Sequence, residues 1–154
     1  MLNPDFRDIL SAFIDAGVEF LVVGGYAMAA HRLPRATKDL DLWVRPSAEN
    51  AARVLQALDA FGAPRHGLTA TDLETEGTIY QVGVPPNRVD VITVVNGVRF
   101  EDAWPQRADI EIDGVGVKWK RAQTKGVRAY RSPCESSRRN GMSQTGGKRN
   151  LATV

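Results

Sequence analysis

Three aspartates and a pair of glycines are the residues of this chain best suited to chemistry. Asp39 and Asp41 lie in Lys38-Asp39-Leu40-Asp41-Leu42-Trp43-Val44, where acidic and apolar positions alternate. On a strand, successive side chains point to opposite faces, so the two carboxylates share one face and Leu40 and Leu42 the other. Like charges one strand-step apart repel unless a cation or a basic group stands between them. Carboxylates so placed can share a divalent cation, or a pair of them. A third acid, Asp90, sits in the apolar run Arg88-Val89-Asp90-Val91-Ile92. A buried carboxylate without a partner is costly, so Asp90 requires either a metal ion or a structural arginine such as Arg88 or Arg35.

The element before the aspartate pair supplies the complementary chemistry. Phe20 to Val23 is an aromatic and aliphatic run that stops at Gly24-Gly25, the pattern of a buried strand ending in a tight turn. Tyr26 to His31 is rich in Ala and Met and predicts a short helix ended by Pro34. Glycines let backbone approach a phosphate chain, and the first N–H groups of a following helix attract anions. Arg35, Thr37 and Lys38, in the loop feeding the aspartate strand, are candidates to reach phosphates. A phosphate-binding turn beside metal-binding carboxylates describes a nucleoside triphosphate site.

Gly24-Gly25, thirteen intervening residues and then Asp39-Leu40-Asp41-Leu42 resembles the signature of the DNA polymerase β-like nucleotidyltransferase superfamily. The loop Arg35-Ala36-Thr37-Lys38-Asp39-Leu40-Asp41 is similar to that of the small bacterial branch with abortive-infection toxins and toxin–antitoxin nucleotidyltransferases. The likeness spans about residues 15 to 117, and its third carboxylate, on a later strand, falls at Asp90. It implies an α/β (α+β) minimal nucleotidyltransferase fold: a short mixed sheet of four or five strands with helices mostly on one face. It also implies Mg²⁺ or Mn²⁺ held by Asp39, Asp41 and Asp90, with Gly24 and Gly25 on the phosphates. A nucleotidyl group would pass from an NTP to an acceptor hydroxyl. Relatives of this kind act on the 3′ ends of tRNA, on proteins or on small molecules. Some are paired with a cognate antitoxin or other partner protein.

Near the end of the chain the likeness weakens. Thr145-Gly146-Gly147-Lys148-Arg149 resembles the basic, Gly-containing turn of these proteins, but Asn150 and Thr153 stand where acids are expected. A second reading therefore stands beside the enzyme: a catalytically inactive nucleotide- or partner-binding domain of the same fold.

The rest of the chain must position these residues. Phe6, Leu10, Phe13 and Ile14 predict a first helix from a cap at Asn3 or Asp5 to about Ala16, with Gly17 ending it. Ser47 caps a second helix, Ala48 to Phe61, with Ala52, Leu55 and Leu58 facing inward, closed by Gly62. Residues 63–77 read as loop. Thr78 to Val84 and Arg88 to Val95 read as a hairpin around Pro85-Pro86-Asn87 that brings Asp90 into the sheet. A short helix at Phe100 to Trp104 and strands at Ala108 to Ile112 and Val115 to Lys118 follow. His31, His66 and the three tryptophans have structural readings, and Cys134 is assigned nothing.

With 154 residues and 43% apolar composition, the chain can bury a real core. No apolar run is long enough to span a bilayer, and the N-terminus has no signal-peptide pattern, so a cytoplasmic protein without a membrane partner is expected. The net charge of +2 conceals a division: residues 1–117 carry net −7 and residues 118–154 net +9. The expected organisation is a nucleotidyltransferase-like domain over 1–117 and a basic, disordered or degenerate tail over 118–154. A basic tail suits a polyanion such as RNA.

Overall fold

A computed structural model describes residues 3–25, 39–84, 86–112 and 114–119. The expected helix at Tyr26 to His31, the loop residues Arg35, Thr37 and Lys38, and the tail from residue 120, with Cys134, lie outside the described residues.

The chain begins with α1 (Pro4–Asp15), which Asn3 caps by accepting a hydrogen bond from the Asp5 backbone N–H at 2.9 Å. β1 (Phe20–Val23) and β2 (Leu40–Val44) follow, then α2 (Ala48–Phe61), capped by Ser47 and closed by Gly62 in the left-handed conformation. Both helices fall where their end signals set them, but Ile14 of α1 and Ala52 of α2 are exposed, and α2 turns Ala51, Val54, Ala57 and Leu58 inward. Next come α3 (Ala70–Glu74), β3 (Ile79–Val82), β4 (Val89–Ile92), α4 (Phe100–Ala103) running into a 3₁₀ turn at Trp104–Gln106, β5 (Ala108–Ile112) and β6 (Val115–Trp119).

α3 corrects the expectation of a loop over 63–77. Its cause is a capping box: the Asp72 backbone N–H donates to Thr69 Oγ1, and the Thr69 N–H donates to the Asp72 carboxylate. One buried side chain, Leu73, ties this single turn to the core.

The fold is α+β, with a mixed sheet in the order β3-β4-β2-β1-β6-β5. Six strands replace the four or five expected, because the β5–β6 hairpin joins the edge of β1 through one parallel pairing, Val22 with Trp119. β3 and β4 form the anticipated antiparallel hairpin, shorter at both ends than its apolar run. β1 lies antiparallel to β2, and β2 parallel to β4.

Alternation assigns each strand residue to a face. Phe20 and Val22, Leu40, Leu42 and Val44, Tyr80 and Val82, and Val89 and Val91 all enter one core cluster. That face is covered by Phe6, Ile9, Leu10 and Phe13 of α1 and by Ala51, Val54, Ala57 and Leu58 of α2. The opposite face is apolar at one end only, where Leu21, Val23, Trp43, Ile92, Phe100 and Ala103 form a smaller cluster. Trp43 meets Phe100 edge-on at 5.2 Å, and Phe100 stacks on Trp104 at 5.4 Å. The other end of this face carries the three aspartates.

Candidate functional site

The parallel pairing of β2 with β4 sets Asp41 directly beside Asp90, and the antiparallel pairing of β1 with β2 sets Val23 on its other side. Gly24, next after Val23, has φ +74° and lies against the Asp41 side chain. A Cβ built there would stand 2.0 Å from Asp41 Oδ2, so the carboxylate occupies the space that any other residue would fill. Gly25 follows, half-buried. The structure thus brings Asp39, Asp41, Asp90 and Gly24 together, and the hairpin register adds Gln81 opposite Asp90.

Arg88 stands among the acids. Its Nη2 donates to Asp39 Oδ2 at 2.8 Å, and its Nε forms an ion pair with Asp90 Oδ1 at 3.0 Å. Gln81 Nε2 donates to the same Asp90 oxygen at 3.1 Å. Asp90 and Arg88 are both buried. Of the two partners the sequence offers Asp90, an ion or an arginine, Arg88 is therefore present. The Gln81 contact had a signal too: it is the one polar side chain in Ile79-Tyr80-Gln81-Val82 that the hairpin must turn to the Asp90 face.

Asp41 differs from its neighbours. It makes no hydrogen bond or ion pair among the described residues. Burial, then the negative charges of Asp90 and Asp39, push its pKa up from 3.8 to about 7, against a smaller opposing pull from Arg88. Burial also raises the pKa of Asp90; Arg88 and Gln81 work against that rise and Asp39 adds to it. Asp39 Oδ1 is buried and lacks a hydrogen-bond partner among the described residues.

Whether these residues suit a divalent cation turns on three observations. Asp41 and Asp39 Oδ1 offer anionic oxygens that no described group has claimed. Against this, Arg88 already neutralises the remaining oxygen of Asp39 and one of Asp90. Among the described residues no three Asp, Glu, His or Cys side chains form a group able to hold a metal ion. Mg²⁺ commonly takes only one or two carboxylates and completes its shell with water and substrate phosphates. The donor set fits that mode, and not an all-protein cage of three acids.

A cleft of about 330 Å³ that none of Asp39, Asp41 and Asp90 lines is bounded by Trp43, Thr93, Val95, Arg99, Phe100 and Asp102 among others. His66 has φ +42° in an exposed turn and Trp43 is core, in line with their structural readings. No helix of the described residues is long and apolar enough to cross a membrane. Comparison of the chain with protein-family models, curated proteins and solved structures gives no match.

Proposed function

We propose that this chain is a nucleotidyltransferase that moves a nucleotidyl group from an NTP to an acceptor hydroxyl. One observation carries the reading: Asp41 is a carboxylate without a hydrogen bond or ion pair among the described residues, crowded by Asp39 and Asp90, with Gly24 packed against it. Crowded anions destabilise a strand unless a cation relieves them, and a glycine turn is where phosphates approach.

Asp41 and Asp39, through its free Oδ1, would hold Mg²⁺ or Mn²⁺. A bound ion supplies charge neutralisation on the triphosphate and a lowered pKa for the acceptor hydroxyl. The chain's own groups do the rest. The backbone of Gly24 and Gly25 receives the β- and γ-phosphates, with Arg35, Thr37 and Lys38 candidates for the same anions. Asp90, ion-paired with Arg88 and hydrogen-bonded by Gln81, would stand beside the acceptor position. Pyrophosphate leaves as the acceptor oxygen bonds to the α-phosphorus. An RNA acceptor such as a tRNA 3′ end suits the basic segment 118–154 better than a protein or small molecule does. Toxin–antitoxin pairing with a partner protein, and a cytoplasmic setting, belong to the same proposal.

The Arg88 bridge favours a second reading, an inactive nucleotide- or partner-binding domain, since a guanidinium already satisfies two of the acids. One experiment separates the two. The protein and its Asp39→Ala/Asp41→Ala variant are incubated with Mg²⁺, each labelled NTP in turn and bulk tRNA, with a lane lacking RNA. Label entering RNA or protein only with the wild type supports the enzyme. Saturable NTP binding without label transfer selects the binding domain, and absence of both refutes a nucleotide site.

A further inference from the structure

We propose that Arg88 is the resident cation of this site. Its guanidinium fills the position between Asp39 and Asp90 that a second metal ion would need. The site therefore holds a single divalent cation, on Asp41 and Asp39, and Asp90 anchors Arg88 instead of ligating metal. This inference rests on the nucleotidyltransferase reading above.

The two contacts of Arg88 use different nitrogens of one planar group: Nη2 reaches Asp39 Oδ2 at 2.8 Å and Nε reaches Asp90 Oδ1 at 3.0 Å. A lysine ammonium, a point charge, cannot span two carboxylates in that forked manner. The Arg88 side chain is 9% exposed and that of Asp90 2% exposed, so water screens the pair weakly. An arginine stays protonated at every pH at which the protein is folded. A second divalent ion bridging the same oxygens would meet a fixed positive charge at contact distance. Gln81 reinforces the arrangement by donating to the oxygen of Asp90 that faces Arg88.

Asp39 is divided between the two cations. Its Oδ2 belongs to Arg88, and its Oδ1 has no hydrogen-bond partner among the described residues. With Asp41, which makes no hydrogen bond or ion pair among the described residues, that oxygen completes a two-carboxylate set. Arg88 is thus a positioning residue: it fixes which Asp39 oxygen faces the ion and lends the acceptor side a positive charge that needs no metal.

The test is a Mn²⁺ titration of the full chain with a non-hydrolysable NTP analogue, free ion being read by electron paramagnetic resonance. The wild type binds one Mn²⁺ per chain. Asp90→Asn keeps that ion at near wild-type affinity, Asp41→Asn loses it, and Arg88→Met gains a second ion. A purely structural Arg88 would leave the stoichiometry of the Arg88→Met variant at one, and that result overturns the inference. So does a wild type that binds two ions, or an Asp90→Asn variant that binds none; in both cases the nucleotidyltransferase reading stands. A wild type that binds no Mn²⁺ with the analogue present refutes that reading, and this inference with it. Should Arg88→Met fail to fold, the wild-type count and the Asp90→Asn affinity decide.

Discussion

Replacing Gly24 by alanine tests whether the glycine turn and Asp41 form one unit. The backbone at Gly24 has φ +74°, where an L-residue is disfavoured by roughly 1–2 kcal/mol. The added Cβ would also stand 2.0 Å from Asp41 Oδ2, 2.9 Å from its Cγ and 3.3 Å from its Cβ. Turning the carboxylate about its last bond relieves only the first of these contacts. The Cγ contact forces a change at χ1, and a side chain pushed off its rotamer loses about 0.5–1.5 kcal/mol. Together the two effects come to about 2–3 kcal/mol, a large part of the roughly 5–15 kcal/mol that holds a domain folded.

Gly62 is the control. It has φ +84°, and a Cβ built there meets nothing within 4 Å. Gly62→Ala therefore carries the backbone strain without the clash, about 1–2 kcal/mol. Urea unfolding of both variants, followed by circular dichroism, gives the two differences directly. Gly24→Ala should be the less stable by about 1 kcal/mol, the rotamer contribution. It should also lose Mn²⁺-dependent binding of an NTP analogue, which Gly62→Ala keeps. Equal stability losses together with wild-type nucleotide affinity for Gly24→Ala would refute the idea that the missing side chain fixes the Asp41 carboxylate.

Other predictions follow from the same contacts. Folded Asp41 keeps its proton up to about pH 7 while the unfolded chain releases it near 3.8, so folding binds a proton between those values and stability falls as pH rises through that window. Asp41→Asn escapes this loss: it should match the wild type near pH 4 and exceed it at pH 8, by at most roughly 4 kcal/mol, with scanning calorimetry as the readout. A variant less stable than the wild type at pH 8 would remove the crowding argument. Mg²⁺ added at pH 8 should raise the melting temperature of the wild type and leave that of Asp41→Asn nearly unchanged, since the variant lacks one of the two carboxylates proposed to hold the ion. Asn50, 1% exposed, accepts from the Glu19 N–H at 2.8 Å and donates to the Glu19 and Arg45 carbonyls, each at 3.0 Å. Asn50→Leu strands the Glu19 N–H, since the Glu19 and Arg45 carbonyls still accept from the Arg45 and Ser47 N–H groups, and should destabilise by about 1–3 kcal/mol in the same urea assay; a loss within experimental error would mean that water replaces the amide.

The core was legible in the sequence because it rests on period alone. Phe6, Leu10 and Phe13 at helical spacing, and Leu40 and Leu42 alternating with acids, name their own faces, and the structure buries all five, while Ile14, read in the same helical set, is exposed. α3 escaped because five residues with one buried leucine carry almost no periodicity; the Thr69–Asp72 box was the signal, and it is a local one. The joining of the β5–β6 hairpin to the sheet escaped for a different reason. A single pairing, Val22 with Trp119, joins the hairpin to the sheet, and no local pattern specifies a neighbour so distant in the chain. In the site, the three acids and Gly24 could be named because residue type and spacing betray them. That Arg88 is held by both Asp39 and Asp90 could not be read, since it follows from the register of two strands whose order the sequence leaves open.

The register that places the acids is itself held by apolar burial on the opposite face. A slip of β2 by one residue would turn Asp39, Asp41 and Trp43 toward α1 and α2 and expose Leu40, Leu42 and Val44 to the other side. Each of those three aliphatic side chains contributes roughly 1.5–3 kcal/mol when buried, about 5–9 kcal/mol together. The charge penalty that raises the Asp41 pKa to about 7 is worth roughly 4 kcal/mol at most. Burial wins, so the strand tolerates a crowded anion that its own electrostatics disfavour. Trp43 adds to the same balance: packed on Phe100 at 5.2 Å, it closes the apolar end of the acid-bearing face.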